Sequence, residues 1–285
     1  MKNKLNPVKT STKILALSAA LTGLLSLTAQ AQISVVDGTP LTPVQSGSTA
    51  GASVSDTFTV SASANALVVE LFDRDSQNTT DPFTAGLTWN GGSPQTLTDA
   101  VGEPNGASSY SWVNIFYLYN PTPGTATITA TDTAFPPQGG AMAMAIFDLT
   151  GVNTAVNPVA YAANLASGNS LSITTSAATP AGEFAALAAS YGNGGNYTTF
   201  LYTTSDSGTL NQVDFNALTA QDFGYELGLS GGATTITAAD TPGGSTKMAE
   251  AGLVFAPTGV PEPATLALVG IGAALFGMFR FRKHS

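Results

Sequence analysis

The sequence predicts an all-β, antiparallel body between two terminal segments of different character. Three observations lead to this prediction: apolar and polar residues alternate strictly, turn residues cluster at intervals, and no long amphipathic helical pattern lies between Gln32 and Pro257. About eleven short strands favour an antiparallel two-sheet sandwich with jelly-roll-like connectivity. No fixed-period repeat is evident, which disfavours a propeller or a β-helix.

The clearest strand signal begins at Gly124, where GTATITATDT places alanine and isoleucine on one face and threonine on the other. The stretch ATTITAAD from Ala233 has a similar alternating pattern. The stretch SYSWVNIFYLYN from Ser109 is apolar on both faces, as in a central strand. Further strands are predicted at residues 67–72, 86–91, 141–151, 171–176, 183–192, 223–230 and 248–256.

The charges of the body exclude several classes of function. Between Gln32 and Pro257 there are two bases, Arg74 and Lys247, against seventeen carboxylates, a formal charge of −15. A surface this acidic repels phosphate backbones, so nucleic-acid binding is excluded. The chain has no cysteine, and its one histidine is His284, so the body has neither thiol nor imidazole chemistry. No cofactor is predicted.

The N-terminal segment has the pattern of an export signal. Four lysines precede an apolar run from Ile14 to Leu27, and small residues at Ala29 and Ala31 form an A-x-A cleavage site. Residues 1–31 are therefore predicted to be a signal peptide that is handled by the Sec export machinery and removed by signal peptidase after Ala31.

The C-terminal segment, residues 258–285, has the pattern of a membrane anchor. Residues 264–279 carry no charge, and a transmembrane helix is predicted over 264–281. The basic residues that follow are expected to stay in the cytoplasm and leave the body outside. They are Arg280, Arg282 and Lys283.

The order of Val260-Pro261-Glu262-Pro263, an apolar span and the basic end RFRK resembles the PEP-CTERM sorting signal of Gram-negative bacteria. In that family the tail is an address that a membrane enzyme, exosortase, recognises and processes near the Pro-Glu-Pro motif. The resemblance assigns this role to Pro261, Glu262 and Pro263. Two prolines around one residue also keep the backbone extended and accessible.

The body resembles a β-sandwich module common in bacterial extracellular proteins. The resemblance is carried by LTWNGG at Leu87, by IFYLYNPTPGTATITAT, and by AMAIFDLTGVN at Ala143. These motifs are structural and imply no catalytic residues.

The body contains three candidate ligand or catalytic sites. The loop FDRDSQNTTDP supplies oxygen ligands for calcium at Asp73, Asp75, Asn78 and Asp81, although Asx turns explain the same residues. Trp89, next to an Asn-Gly turn and expected to be half exposed, is a candidate for stacking on a sugar, whereas Trp112 is expected in the core. Paired carboxylates could serve a glycoside hydrolase. The candidates are Glu70, Asp73, Asp75, Asp81, Glu183, Asp214, Asp222 and Glu226.

Together these features predict an exported, non-catalytic protein with a β-sandwich ectodomain over residues 32–257. It is expected to pass through an inner-membrane intermediate to the cell surface or the extracellular matrix of a Gram-negative bacterium. The PEP-CTERM resemblance implies association with exopolysaccharide and biofilm. A carbohydrate-binding module and a carboxylate-only glycoside hydrolase are the alternatives.

Overall fold

The computed structural model describes the body of the chain with gaps and leaves both terminal segments outside the description. The described residues are 32–38, 44–45, 53–74, 81, 83, 86–104, 111–132, 141–176, 182–192, 199–206, 208–215, 221–241 and 246–259. Residues Gln32–Thr258 form one compact unit.

Within the described residues every regular element is a β-strand, and every pairing is antiparallel. The strands are β1 (Ser34–Val35), β2 (Val44–Gln45), β3 (Ser53–Val60), β4 (Ala66–Arg74), β5 (Thr88–Trp89), β6 (Gln95–Thr96), β7 (Thr98–Pro104), β8 (Trp112–Tyr119), β9 (Gly124–Thr131), β10 (Ala141–Thr150), β11 (Val159–Gly168), β12 (Ser170–Thr174), β13 (Glu183–Gly192), β14 (Thr199–Thr204), β15 (Thr209–Phe215), β16 (Gln221–Leu229), β17 (Thr235–Thr241) and β18 (Thr246–Phe255). The all-β, antiparallel prediction is confirmed.

The strands form four main sheets rather than the two that were expected. The N-terminal inner sheet has the order β1-β10-β4-β8-β7, with β2 also on β10, and the C-terminal inner sheet has the order β11-β18-β13-β16-β15. The N-terminal outer sheet is β3-β9, and the C-terminal outer sheet is β12-β17-β14. A short hairpin, β5-β6, stands beside them.

Three hydrophobic layers hold these sheets together. The central layer joins the two inner sheets, and its aromatic rings include Phe147, Phe184 and Tyr225, whose centroids lie 5.5 to 5.6 Å apart. A second layer lies between the N-terminal inner and outer sheets. The third layer lies between the C-terminal inner and outer sheets. Each inner sheet is thus buried on both faces, which explains its apolar strands.

The two halves of the body repeat one arrangement of strands. If β1, β3, β4, β7, β8, β9 and β10 are matched in chain order with β11, β12, β13, β15, β16, β17 and β18, the pairings of the two inner sheets coincide, as do β3-β9 and β12-β17. The sequence supports the match. The segment TITATDT from Thr127 is nearly identical to TITAADT from Thr235, which lies 108 residues later, and Phe147 corresponds to Phe255 at the same offset. The body is an internal duplication that no fixed period in the sequence had indicated.

The outer sheets carry the threonine faces that the sequence predicted. In β9, Thr125, Thr127, Thr129 and Thr131 are exposed while Ile128 and Ala130 are buried. Cross-strand hydroxyl pairs join Ser55 to Thr129, Thr57 to Thr127 and Thr59 to Thr125, each at 2.8 Å. On the C-terminal outer sheet Ser172 pairs with Thr237 at 2.7 Å and Thr174 with Thr235 at 3.1 Å.

Candidate functional site

Several carboxyl groups are buried on the C-terminal inner sheet. Asp222 and Glu226 lie on β16 and Glu250 lies on β18, and each is fully buried. Ala189, on the central strand β13, is the registered partner of both Glu250 and Asp222, so these two carboxyls flank it in one row. Ala189 packs in the layer beneath the C-terminal outer sheet, and residues of one row share a face.

A fourth buried carboxyl reaches this sheet from the other side. Glu70, on β4 of the N-terminal inner sheet, accepts a hydrogen bond from the backbone N–H of Leu187 on β13 at 2.9 Å. Burial raises the pKa of Glu70 well above its usual range, and the negative charge of Asp222 adds to that rise. The backbone N–H groups of Leu187 and Gly224 counteract only part of it.

Tyr202 covers this group from the C-terminal outer sheet. Its ring lies over Gly224, where an added Cβ would be 3.3 Å from Tyr202 Cδ2, and its hydroxyl donates to the Asp222 carbonyl at 3.4 Å. Burial raises the pKa of Tyr202 well above its usual value, and the charges of Asp222, Glu250 and Glu70 add to the effect. Four ionisable side chains thus contribute to one electrostatic environment.

The enclosure of these groups limits their chemistry. A glycoside hydrolase needs two carboxyls on either side of a sugar, about 5 to 9.5 Å apart, in a site that a polysaccharide can enter. The candidates Glu70 and Asp222 interact electrostatically, but both they and Glu226 are fully buried between sheets. Asp75 lies outside the described residues, as does the side chain of Asp214. The lack of catalytic activity stays a prediction.

The calcium candidates are only partly within the described residues. Asp81 Oδ1 accepts the backbone N–H of Phe83 at 2.9 Å, and its Oδ2 accepts Asn114 Nδ2 at 3.0 Å. The first of these bonds is that of an Asx turn. Asp73 is fully buried on β4, whereas Asp75 and Asn78 lie outside the description. Among the described residues no three acidic, histidine or cysteine side chains are placed to hold a metal ion.

Asp99 is a carboxyl that the sequence did not single out. The pKa of Asp99 is raised to about 6, mainly by partial burial and also by the nearby charge of Asp81, while a hydrogen bond from Asn114 opposes the rise. Asp81 precedes a turn, Asp99 lies on β7 and Asn114 lies on β8, so only the pairing of β7 with β8 brings them together. No local motif could have indicated this group.

The prediction that Trp89 is half exposed is wrong. Its side chain is fully buried in the layer between the N-terminal sheets, and its indole N–H donates to the Thr122 carbonyl at 2.8 Å. The ring also lies against Gly91, where an added Cβ would be 2.6 Å from Trp89 Cζ2. A ring enclosed in this way has no free face on which a sugar could stack. Trp112 is buried, as expected.

The residues predicted to direct export and sorting lie outside the described part of the chain. They include Ala29 and Ala31 of the signal peptide, Pro261-Glu262-Pro263, and the basic residues Arg280, Arg282 and Lys283. The predicted span 264–281 lies outside it as well, and within the described part no helix has the length and apolar character needed to cross a bilayer.

Comparison with known families decides the nature of the tail. A family model described as the PEP-CTERM protein-sorting motif matches residues 259–283. The chain carries a PEP-CTERM sorting signal. The resemblance seen in Pro261-Glu262-Pro263 and the residues after it is therefore confirmed, and the motif indicates an exported protein that exosortase sorts to the cell surface. Among curated proteins, none matches this chain.

Proposed function

We propose that this chain is a non-catalytic protein of the cell surface or extracellular matrix, delivered by exosortase through its PEP-CTERM tail. The single observation that carries the proposal is the family match over residues 259–283. In this proposal the Sec machinery exports the chain and signal peptidase cleaves after Ala31. The C-terminal span then holds an inner-membrane intermediate until the tail is processed.

The composition of the body supports such a destination. Its formal charge of −15 favours solubility at an exposed surface, and its lack of cysteine makes it independent of disulfide formation. The buried carboxyls Glu70, Asp222, Glu226 and Glu250 leave a substrate no access, which favours a structural role over hydrolysis. We also propose that the protein associates with exopolysaccharide and biofilm, on the basis of its PEP-CTERM sorting signal.

The first alternative is a carbohydrate-binding module, but the burial of Trp89 removes the residue that was the candidate for sugar stacking. Trp89 is fully buried, so sugar binding would have to use another surface of the body. Glycan arrays and polysaccharide pull-down with the exported protein separate this alternative from a purely structural role. Binding that survives substitution of Trp89 by phenylalanine would point to such a surface.

The sorting step is tested by replacing Pro261, Glu262 and Pro263 with alanine. Alanine removes the fixed extended backbone, so we expect the unprocessed chain to accumulate in the membrane while the parent protein reaches the surface or the medium. Mass spectrometry of the protein from each fraction gives both ends of the chain. A mature N-terminus at Gln32 and loss of the C-terminal span are expected for the parent.

Val260→Ala is the matched control, because it changes a neighbouring residue and keeps both prolines. This variant is expected to be processed like the parent. Equal processing of the triple-alanine variant and the parent would contradict the proposal.

A further inference from the structure

Gly151 lies beside both ends of the folded body. Its carbonyl oxygen accepts a hydrogen bond from the backbone N–H of Thr258 at 2.7 Å, and a Cβ added to it would lie 2.8 Å from the carbonyl oxygen of Gln32. Gln32 is the first residue after the predicted signal peptide, and Thr258 directly precedes the residues that the sorting motif matches. The two segments that are proposed to enter the membrane therefore join the body beside the same residue.

The segment that links the two halves of the body runs along this junction. Val152 forms a β-bridge with Pro257, and the backbone N–H of Asn153 donates to the Ala256 carbonyl at 2.8 Å. The segment then continues into β11, which begins at Val159 and pairs with β18. The link between the halves thus lies alongside the last residues of the body, up to the point where the tail begins.

The surface at this junction is apolar and carries no charge along the chain. Val156 is 49% exposed and Val159 is 52% exposed, and among the described residues they are the large apolar side chains that stand out to solvent. No charged residue occurs in 149–182 or in 251–261, although the body has a formal charge of −15. The acids that flank these two stretches are buried, and they are Asp148, Glu183 and Glu250.

We propose that this tail-exit face, formed by residues 151–159 and 256–258, rests on the lipid surface through its exposed valines while the chain is held in the membrane. In the proposed function, on which this step rests, a span at 264–281 anchors the intermediate. Thr258 precedes the start of that span by six residues, so the chain between them reaches about 20 Å. Such a short tether keeps the tail-exit face next to the bilayer.

The chemistry of the tail-exit face suits a lipid surface. Exposed apolar side chains gain free energy when they move from water into the boundary between headgroups and acyl chains. Anionic lipids repel carboxylates, so an uncharged end of a strongly acidic body approaches the bilayer more easily than its other surfaces. The hydroxyl of Tyr119 donates to the Val156 carbonyl at 2.8 Å and holds the loop that carries this valine against the body.

Fluorescent labels on single cysteines test this orientation, because the chain has no cysteine of its own. Val159→Cys puts the label on the tail-exit face. Ser170→Cys puts it on an exposed residue just beyond the opposite end of β11, a strand of ten residues that is about 30 Å long. Each full-length chain is reconstituted in vesicles of phosphatidylcholine and phosphatidylglycerol whose headgroups carry a quencher. The label at residue 159 is expected to lose most of its fluorescence, and the label at residue 170 is expected to lose little.

Flotation of the same vesicles separates failure of the orientation from failure of the anchor. A chain that does not float with the vesicles would overturn the anchoring step of the proposed function, and the orientation with it. A chain that floats but shows equal quenching at the two labels, or stronger quenching at residue 170, would overturn the orientation alone.

A second set of variants tests the contact made by the valines. With the label on Asn157→Cys, serine at both Val156 and Val159 is expected to weaken the quenching, because the apolar contact is lost while the tether stays. Serine at Thr127 and Thr129, two exposed residues of β9, is the matched control and should leave the quenching unchanged. Full quenching in the chain without the two valines would contradict their contact with lipid.

Discussion

Trp89 is a residue whose buried hydrogen bond ties a short hairpin to the body. Its indole N–H bonds to the Thr122 carbonyl, and its ring fills the layer between the N-terminal sheets. Trp89→Ala is expected to lower the free energy of unfolding by about 3 to 5 kcal/mol, because it leaves a large cavity. Urea denaturation measures the loss.

The control for this substitution is Val159→Ala. Val159 is 52% exposed, so its truncation should change stability by no more than about 0.5 kcal/mol. A loss at Trp89 as small as that at Val159 would contradict the buried position of the indole ring.

Two glycines with nearly equal backbone angles separate backbone strain from steric contact. Gly38 has φ +96° and Gly232 has φ +91°, so alanine is strained at both positions. A Cβ at Gly38 would lie 2.7 Å from the Ile146 carbonyl oxygen, whereas at Gly232 nothing lies within 4 Å. Gly38→Ala should therefore lower the thermal midpoint more than Gly232→Ala. Equal shifts would mean that strain alone determines the cost.

At the level of elements, the hydroxyl pairs of the N-terminal outer sheet invite a direct measurement. Thr57 and Thr127 are registered partners with hydroxyl oxygens 2.8 Å apart. A double-mutant cycle with valine at both positions should give a coupling of about 0.2 to 1 kcal/mol in the free energy of unfolding.

The matched cycle uses Thr57 and Thr131. Thr131 is the registered partner of Ser53, two rows of the same face away from Thr57, so no coupling is expected. Equal coupling in the two cycles would show that the measured energy does not come from the cross-strand hydrogen bond.

Among the strands that the sequence predicted well are the central strands of the two inner sheets. The predicted strand 183–192 coincides with β13 (Glu183–Gly192), and the predicted 141–151 differs from β10 (Ala141–Thr150) by one residue. Central strands are buried on both faces, so their composition is apolar throughout and easily recognised.

The longer strands that the sequence missed lie at sheet edges. They are β3, β7, β11, β14 and β15. Edge strands can contain polar residues, glycine and proline because one of their sides faces solvent, and the GEP at the end of β7 is an example. Their residue composition therefore resembles that of loops. The buried acids were not foreseen for a related reason, because a carboxylate in a polar sequence is normally solvated.

At the level of the whole molecule, buried carboxyls set the response of stability to pH. Burial raises the pKa of both Glu183 and Glu226 to about 7, above the usual value of 4.5. The unfolded chain therefore loses these protons at a lower pH than the folded chain. The stability that these two groups contribute should be fully present below about pH 4.5 and should be lost as the pH rises through about 7.

Urea midpoints at pH 4.5, 6 and 8 measure this trend. Glu183→Gln removes one of the titrating groups and should flatten the curve, whereas Asp56→Asn should not. A midpoint that rises with pH over this interval would contradict the assignment of raised pKa values to the folded state.

The internal duplication has a consequence for how this protein assembles in a crowded compartment. Its two halves bury matching inner sheets against each other, with Phe147 and Phe184 in contact across the central layer. A newly exported chain that has completed only its first half displays a sticky apolar surface, and every neighbouring chain carries the complement. We therefore expect exchange of halves between molecules to be a misfolding route for this architecture, one that closure of the two halves within one chain would avoid.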